Sequence, residues 1–374
     1  MPNEIAKSPA LMRAEIIEAL LAQGFEIQRD GIVAADASDK EGLRNLHRLA
    51  VAHRISRAEA SLARHEDSLL GLIANGDEVD PRDIAPELVE VRPGTTDELL
   101  FRYAALHWSI PVSSGYGRRL RFLMRDGGNG KLMGIIGLGD PVFALRPRDA
   151  WVGWDPAVRR ERLNHVMDAF VLGAVGPYAS LLCGKLVAQA TTTREVREAF
   201  RHKYGGKTGR ISGRPRDGRL ALVTTTSALG RSSVYNRLPE AISVGFTRGS
   251  GEFHFSNGLY KTMTSYALAH CVPTAKHSDW GSGYRNRREI VKKVLQDVGM
   301  SDQWLYHGIR REVFVLPLAE NTAAFLSGAH NRLRWHRRTL DDVFAHFRTR
   351  WLLPRAERDE RYRDFRAESW RLWT

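Results

Sequence analysis

Apolar residues recur at helical spacing over residues 10–23, where Leu11, Ile16, Ile17, Leu20 and Leu21 share a period that Gly24 ends, so the pattern predicts an α-helix closed by a glycine. Residues 25–28 (FEIQ) predict a short strand. From residue 39 or 41 to about residue 74, Leu43, Leu46, Leu49, Leu62, Leu69, Leu72 and Ile73 mark one or two amphipathic helices, stopped by Asn75 and Gly76. Pro81, Pro86, Pro93 and Gly94 then read as a linker.

Beyond the linker the period alternates between two and 3.6. Residues 119–126 and 131–138 predict two strands, joined through Gly127, Gly128, Asn129 and Gly130 as a hairpin, because such a turn needs positive φ. Residues 151–154 (WVGW) suggest a short strand or turn, 166–175 an apolar strand, and 181–190 and 193–204 two helices. A Gly-rich basic loop follows at 205–218, then a strand at 220–225, a helix starting over 230–238 and one or two strands within 242–255. Helices between strands predict a mixed α/β sheet covered by helices. The tail from Arg285 reads helix, strand (313–316), helix. Between Arg332 and Trp370, arginines interleave with Trp335, Phe344, Phe347, Trp351, Tyr362 and Phe365, a pattern best explained by aromatics packing inward from a helical layer.

Charge sharpens this outline. The 374 residues carry 56 Lys+Arg and 43 Asp+Glu, net +13, but residues 1–98 hold 11 and 19, net −8, which leaves +21 for the remainder. The sign changes near Pro93. We therefore expect an acidic helical module over residues 1–93, an α/β core over 94–270 and a basic, aromatic-rich helical region over 271–374. A field of one sign on the basic part suits a phosphate-rich partner, because each neutralised phosphate releases counterions; a high-arginine composition gives the same surplus without one. Two cysteines, the absence of a run of about 20 apolar residues, and a start without a secretory pattern lead us to expect a cytoplasmic protein outside the membrane.

Phosphate-loop motifs fail. Gly205, Gly206, Lys207 and Thr208 have Arg201 where a Walker loop needs glycine, and Gly184 with Lys185 is followed by Leu186 rather than Ser or Thr. Residues 224–237 (TTTSALGRSSVYNR) are denser in donors: at an expected strand-to-helix junction, Thr224, Ser227, Gly230, Ser232, Ser233, Asn236 and Arg237 are candidates for holding an anion, with N-capping as the plainer use of the same hydroxyls. Thr247, in the glycine-rich run 245–251, joins them, as do Arg148 and Asp149, an ion pair beside Trp151 and Trp154. Asp168 inside an apolar strand needs a partner or a role. Asp168, Tyr235 and His254 are the candidate proton-handling residues, although a lone strand histidine is more often a core residue. Arg334, Arg337 and Arg338 are the candidate nucleic-acid contacts. His270, Cys271 and His277 lack metal-ligand spacing, so no metal site is expected.

The runs 116–123 (YGRRLRFL), 132–137 (LMGIIG), Arg148 with Asp149, 152–154 (VGW) and 245–251 (GFTRGSG) together resemble the DruA family of the Druantia anti-phage system, over roughly residues 99–260. The resemblance implies a role in defence against phage DNA alongside other proteins of the system, notably a large helicase-like one. The order of hairpin, long apolar strand, helix and strand-helix-strand also looks like a GNAT-type acyltransferase core, which implies a DNA-modifying transfer. In GNAT enzymes an Arg/Gln-x-x-Gly-x-Gly/Ala loop holds acyl-CoA. It should follow residues 166–175, but residues 176–184 (GPYASLLCG) depart from it, so the cofactor is left unassigned. Two functions stand side by side: a GNAT-like DNA-modifying enzyme with the candidates in one cleft, and a non-catalytic nucleic-acid-binding adaptor that recruits the helicase-type partner. A nuclease would need clustered carboxylates, which the basic part does not display.

Overall fold

The computed structural model describes residues 7–34, 40–112, 117–209, 213, 215–230, 232–255, 257–274, 280 and 284–373. Tyr116, Arg231 and His277, singled out above, lie outside them. The strands in chain order are β1 (Phe25–Gln28), β2 (Gly31–Ala34), β3 (Pro86–Glu90), β4 (Arg119–Asp126), β5 (Leu132–Gly139), β6 (Val166–Ala174), β7 (Leu222–Thr226), β8 (Ile242–Phe246) and β9 (Glu312–Pro317). The helices are α1 (Pro9–Ala22), α2 (Lys40–Leu62), α3 (Glu66–Leu70), α4 (Thr96–Ala104), α5 (Arg146–Val152), α6 (Pro156–Arg162), α7 (Cys183–Ala190), α8 (Arg194–Tyr204), α9 (Asn257–His270), α10 (Tyr284–Asp297), α11 (Thr322–Leu326), α12 (Leu340–Phe347) and α13 (Leu353–Arg358).

Two compact units partition the chain, one formed by residues 1–53, 228–230 and 247–311, the other by 54–227, 231–246 and 312–374. In the first, Met12, Ile16 and Leu20 of α1 pack with Phe25, Leu43, Leu46, Met263, Val291 and Leu295. Ser8 caps α1, and Gly24, at φ +88°, turns the chain into β1, whose antiparallel partner is β2. That left-handed φ is why a glycine ends the helix.

The second unit is built on a seven-stranded sheet in the order β3-β4-β5-β6-β7-β9-β8. Every pairing is antiparallel except β6 with β7. The interior strand β5 is buried along its whole length, as its unbroken run of Leu, Met, Ile and Gly requires. A side chain at Gly137 would meet the Phe170 ring at 2.5 Å, so only glycine lets β6 lie so close. Helices α7 and α12 pack on this sheet through Leu186, Val187, Leu340, Val343 and Phe347. Trp335, Phe344, Phe347, Trp351 and Tyr362 point into that core, while Phe365 and Trp370 join a neighbouring one, so the tail's aromatics do pack inward.

Four local expectations need correction. The proline segment before residue 93 contains β3, an edge strand that admits Pro86 because its first residue owes the sheet no ladder bond. Residues 151–154 are neither strand nor isolated turn but the end of α5, which Gly153 closes at φ +72°. Among the described residues of 230–238 no helix starts: Gly230 (φ +63°) and Arg237 (φ +64°) turn left-handed and Pro239 follows, so residues 232–238 form a series of turns. Strand β8 stops at Phe246, and residues 247–255 are irregular, which removes His254 from any strand.

Candidate functional site

Parallel strands pair at β6 and β7 only over Val166↔Leu222, Met167↔Val223 and Asp168↔Thr224. Beyond that point β6 runs on to Ala174, held by β5 alone, and an opening develops between the carboxyl halves of β6 and β7. The carboxyl ends of parallel strands at such a switch point are where open α/β sheets place ligands. Here the space is filled. Tyr235 and Leu238 pack with Ala188 and Phe314, and the Tyr235 ring lies 4.6 Å from Phe314. Its hydroxyl sits 3.3 Å from Thr225 Oγ1, and burial pushes the phenol up to about 12, so it stays protonated.

A lysine holds the filling segment in place. Lys185 enters the sheet-facing helix α7, and its Nζ donates to the carbonyls of Ser233 (2.8 Å), Val234 (3.0 Å) and Asn236 (2.7 Å). Burial lowers its pKa, and three carbonyl dipoles offset the lost hydration. Ser232 spends its hydroxyl on the N–H of Val234 (3.2 Å), while Ser233, Asn236 and Arg237 are exposed. Ser227 is buried, its Oγ accepting from the N–H of Glu312 at 3.0 Å. Because no helix starts here, these hydroxyls have no helix dipole behind them.

Coenzyme A, the group a GNAT core implies, does not fit this arrangement. A diphosphate at the start of α7 needs free backbone donors, but the N–H groups of Ser180, Leu181, Leu182, Cys183 and Lys185 are all spent on carbonyls within residues 177–182. A side chain at Gly184 would meet Val234 Cγ2 at 3.5 Å.

Asp168, in the last ladder pair of β6 with β7, is a brace. Its Oδ2 accepts from the Val142 N–H at 2.9 Å and its Oδ1 from the Thr224 hydroxyl. Burial raises the carboxyl to about 6, against the lowering effect of the Val142 N–H and the nearby Arg148. Arg148 is fully buried. It donates to Asp149 Oδ1 (2.9 Å) and to the carbonyls of Val142 (3.0 Å) and Phe143 (3.3 Å), and its guanidinium lies 5.6 Å from the Trp154 ring. Asp149 also accepts from the N–H of Leu145 (3.0 Å) and from Arg159 (2.9 Å). The network fixes residues 140–145 and with them α5. Arg148, Asp149, Asp168 and Thr224 therefore do come together.

Thr247, Gly230 and His254 belong to the first unit. Thr247 exchanges bonds with Arg311: its N–H donates to the Arg311 carbonyl (2.9 Å) and its Oγ1 accepts the Arg311 N–H (3.0 Å). His254 is completely buried, its Nε2 2.9 Å from the Trp304 carbonyl and its ring against Phe25, Phe253 and Phe255. Burial pushes it down to about 4, so it is a neutral core imidazole at neutral pH.

Of the C-terminal arginines, Arg334 is 73% exposed and sits 3.6 Å from Glu320, Arg337 is exposed, and Arg338 pairs with Glu240. The residue overlooked by motif reasoning is Lys185, rejected as a phosphate-loop lysine. Its signal was a charge inside the otherwise apolar stretch 181–190.

The sequence model of the family described as Druantia protein DruA matches residues 37–328. The chain is 39% identical over 364 residues to the Druantia protein DruA of Escherichia coli (strain UMEA 4076-1), an alignment that covers 96% of this chain and 90% of that one. No solved structure matches it.

Proposed function

The chain belongs to the DruA family of Druantia proteins, and on that premise we propose that it is a cytoplasmic anti-phage defence protein that binds DNA and passes it to a helicase-like component of the same system. The observation that carries the DNA-binding reading is where the charge sits. The +21 surplus of residues 99–374 includes Arg332, Arg334 and Arg337 on the surface of the second unit. The order of hairpin, long apolar strand, helix, parallel strand and antiparallel pair supports a GNAT-like ancestry for the sheet. In this reading the sheet serves as a scaffold, because Tyr235, Asp168 and His254 are each occupied in holding structure together.

A second reading, a DNA-modifying enzyme, is favoured by one observation: a carboxyl at about 6 on Asp168 exchanges its proton near neutral pH. One experiment separates the two. Purified protein is titrated with duplex and single-stranded DNA at several salt concentrations, and the DNA is then digested to nucleosides for mass analysis, with and without acyl-CoA donors. The scaffold reading expects salt-dependent binding and unchanged nucleoside masses; a new mass that Asp168→Asn abolishes establishes the enzyme instead. Absence of binding to either DNA overturns the DNA reading.

A further inference from the structure

We propose that a groove at the start of β8 and the end of β9 takes one base of a single DNA strand whose phosphates run along residues 331–338. The proposal rests on the reading that the protein acts at DNA and names the site and the form of DNA.

Residues 334–338 lie extended against 318–321. The N–H of His336 donates to the Leu318 carbonyl (3.1 Å), the N–H of Glu320 donates to the Arg334 carbonyl (2.9 Å), and Trp335 is bridged antiparallel to Ala319. Asn321 clamps the segment from its side, its Nδ2 donating to the Arg332 carbonyl (2.9 Å) and its Oδ1 accepting the Arg334 N–H (2.8 Å). An extended chain alternates its faces. Leu333 and Trp335 pack inward, so Arg334 and His336 share the opposite side at a spacing of roughly 6.6–6.8 Å, close to the separation of successive phosphates along one strand. Arg332 and Arg337 flank the row, exposed and without an ion pair among the described residues. Beneath it, Arg197 lies 4.6 Å from the Trp335 ring and Arg162 and Arg219 both hold Asn331, so the row is built before any ligand arrives.

The groove opens directly beside the row. Its volume is about 240 Å³, and Trp151, Ile242, Pro317 and Ala323 give it an apolar lining, with His336, Arg338 and the carboxylates Glu240 and Glu320 at its walls, Glu240 paired with Arg338. That is smaller than the roughly 300–1,000 Å³ of pockets for drug-sized ligands, and suits one planar ring. An aromatic and aliphatic slot next to exposed arginines is the arrangement that binds unstacked bases with little regard to sequence. A duplex keeps its bases stacked and offers the slot nothing.

The test uses the full chain and labelled oligo-dT of about 20 nucleotides beside a hairpin duplex of equal length, with binding followed by anisotropy across a salt series. The proposal expects oligo-dT to bind roughly tenfold more tightly than the duplex. The triple variant Arg332→Gln, Arg334→Gln, Arg337→Gln should bind more weakly and flatten the single-strand salt slope by about 2, at ~0.7 per lost phosphate contact. Ala323→Trp, which fills the groove, should cost about tenfold for oligo-dT with the slope unchanged. Ile242→Asp tests the same slot at a 40%-exposed position where folding is not at stake, and thermal melting checks each variant. If the parent protein binds neither DNA, the broader reading fails together with this one. If it binds DNA but the arginine variant leaves affinity and slope unchanged, or both groove variants bind oligo-dT as the parent does, or the duplex binds equally well, the proposed site is wrong and DNA binding lies elsewhere.

Discussion

Two buried cations near the β6–β7 pair use one device for opposite results. At the carboxyl end a buried cation, Lys185, gathers three carbonyls of residues 233–236 and closes the space between the strands. Beside Asp168 a second buried cation, Arg148, gathers the carbonyls of Val142 and Phe143 and, with Asp149 and Asp168, stiffens the loop and helix that set Trp151 beside an open groove. A lysine's point charge collects dipoles from a single turn, whereas a planar guanidinium also spans a carboxylate and so ties separate elements together. The position a ligand would occupy by fold analogy is filled, while a groove beside Trp151 stands open at the β8–β9 edge of the sheet.

Breaking the Arg148 brace has the largest expected effect. Arg148→Met leaves Asp149 and two carbonyls short of a donor in a buried site, and should cost about 3 kcal/mol in urea unfolding. A loss below about 1 kcal/mol would show that Arg159 alone satisfies Asp149 and that the network is redundant.

Opening the carboxyl end comes next. Lys185→Met removes all three bonds to residues 233–236 and should cost about 2 kcal/mol, with faster tryptic cleavage after the exposed Arg237. Unchanged cleavage would mean that Tyr235 and Leu238 hold the segment by packing alone. Coenzyme A binding gained by this variant would show that the filled space is a gate.

Asp168 sharpens the comparison through pH. Its folded carboxyl titrates near 6, above the ordinary 3.8, so the folded state holds the proton more tightly than the unfolded chain does. Its contribution to stability is therefore present below about pH 4 and is lost as pH rises to 6, at about 1.4 kcal/mol per pH unit. Asp168→Asn should remove that slope, read as the difference between the two proteins' unfolding free energies from pH 4 to 7; parallel curves would place the carboxyl at its ordinary value.

The smallest effect is expected at the groove wall. Glu240→Gln removes the acid paired with Arg338 and should raise oligo-dT affinity about threefold, under 1 kcal/mol. Weaker binding would make Glu240 a partner of the base rather than a shield over the arginine.

Much of the sheet was legible in the sequence. The 119–126 and 131–138 hairpin and the long strand 166–175 stand within a residue of β4, β5 and β6, because β-branched and aliphatic runs bounded by glycine-rich turns leave few alternatives. The pairing of Arg148 with Asp149 was equally legible, since a charge beside two tryptophans needs a neighbour. Strand β3 was not, because proline at its head reads as a breaker unless the strand is known to be an edge. Residues 230–238 were misread for a related reason: Ser, Ser, Val and Tyr tolerate a helix locally, and the preference for turns came from Lys185, 48 residues earlier, drawing in carbonyls.

The sequence by itself determined the family, the alternation of helix and strand and the sign change of the charge, all of which depend on composition and short-range period. Tertiary structure alone decided that Asp168 meets Thr224 and Val142, that Tyr235 fills the strand opening, and that His336 and Arg338 line a groove beside Trp151. Those outcomes depend on strand register and on buried charges finding partners distant in the chain, and no local pattern of residues encodes which partner a buried charge will reach.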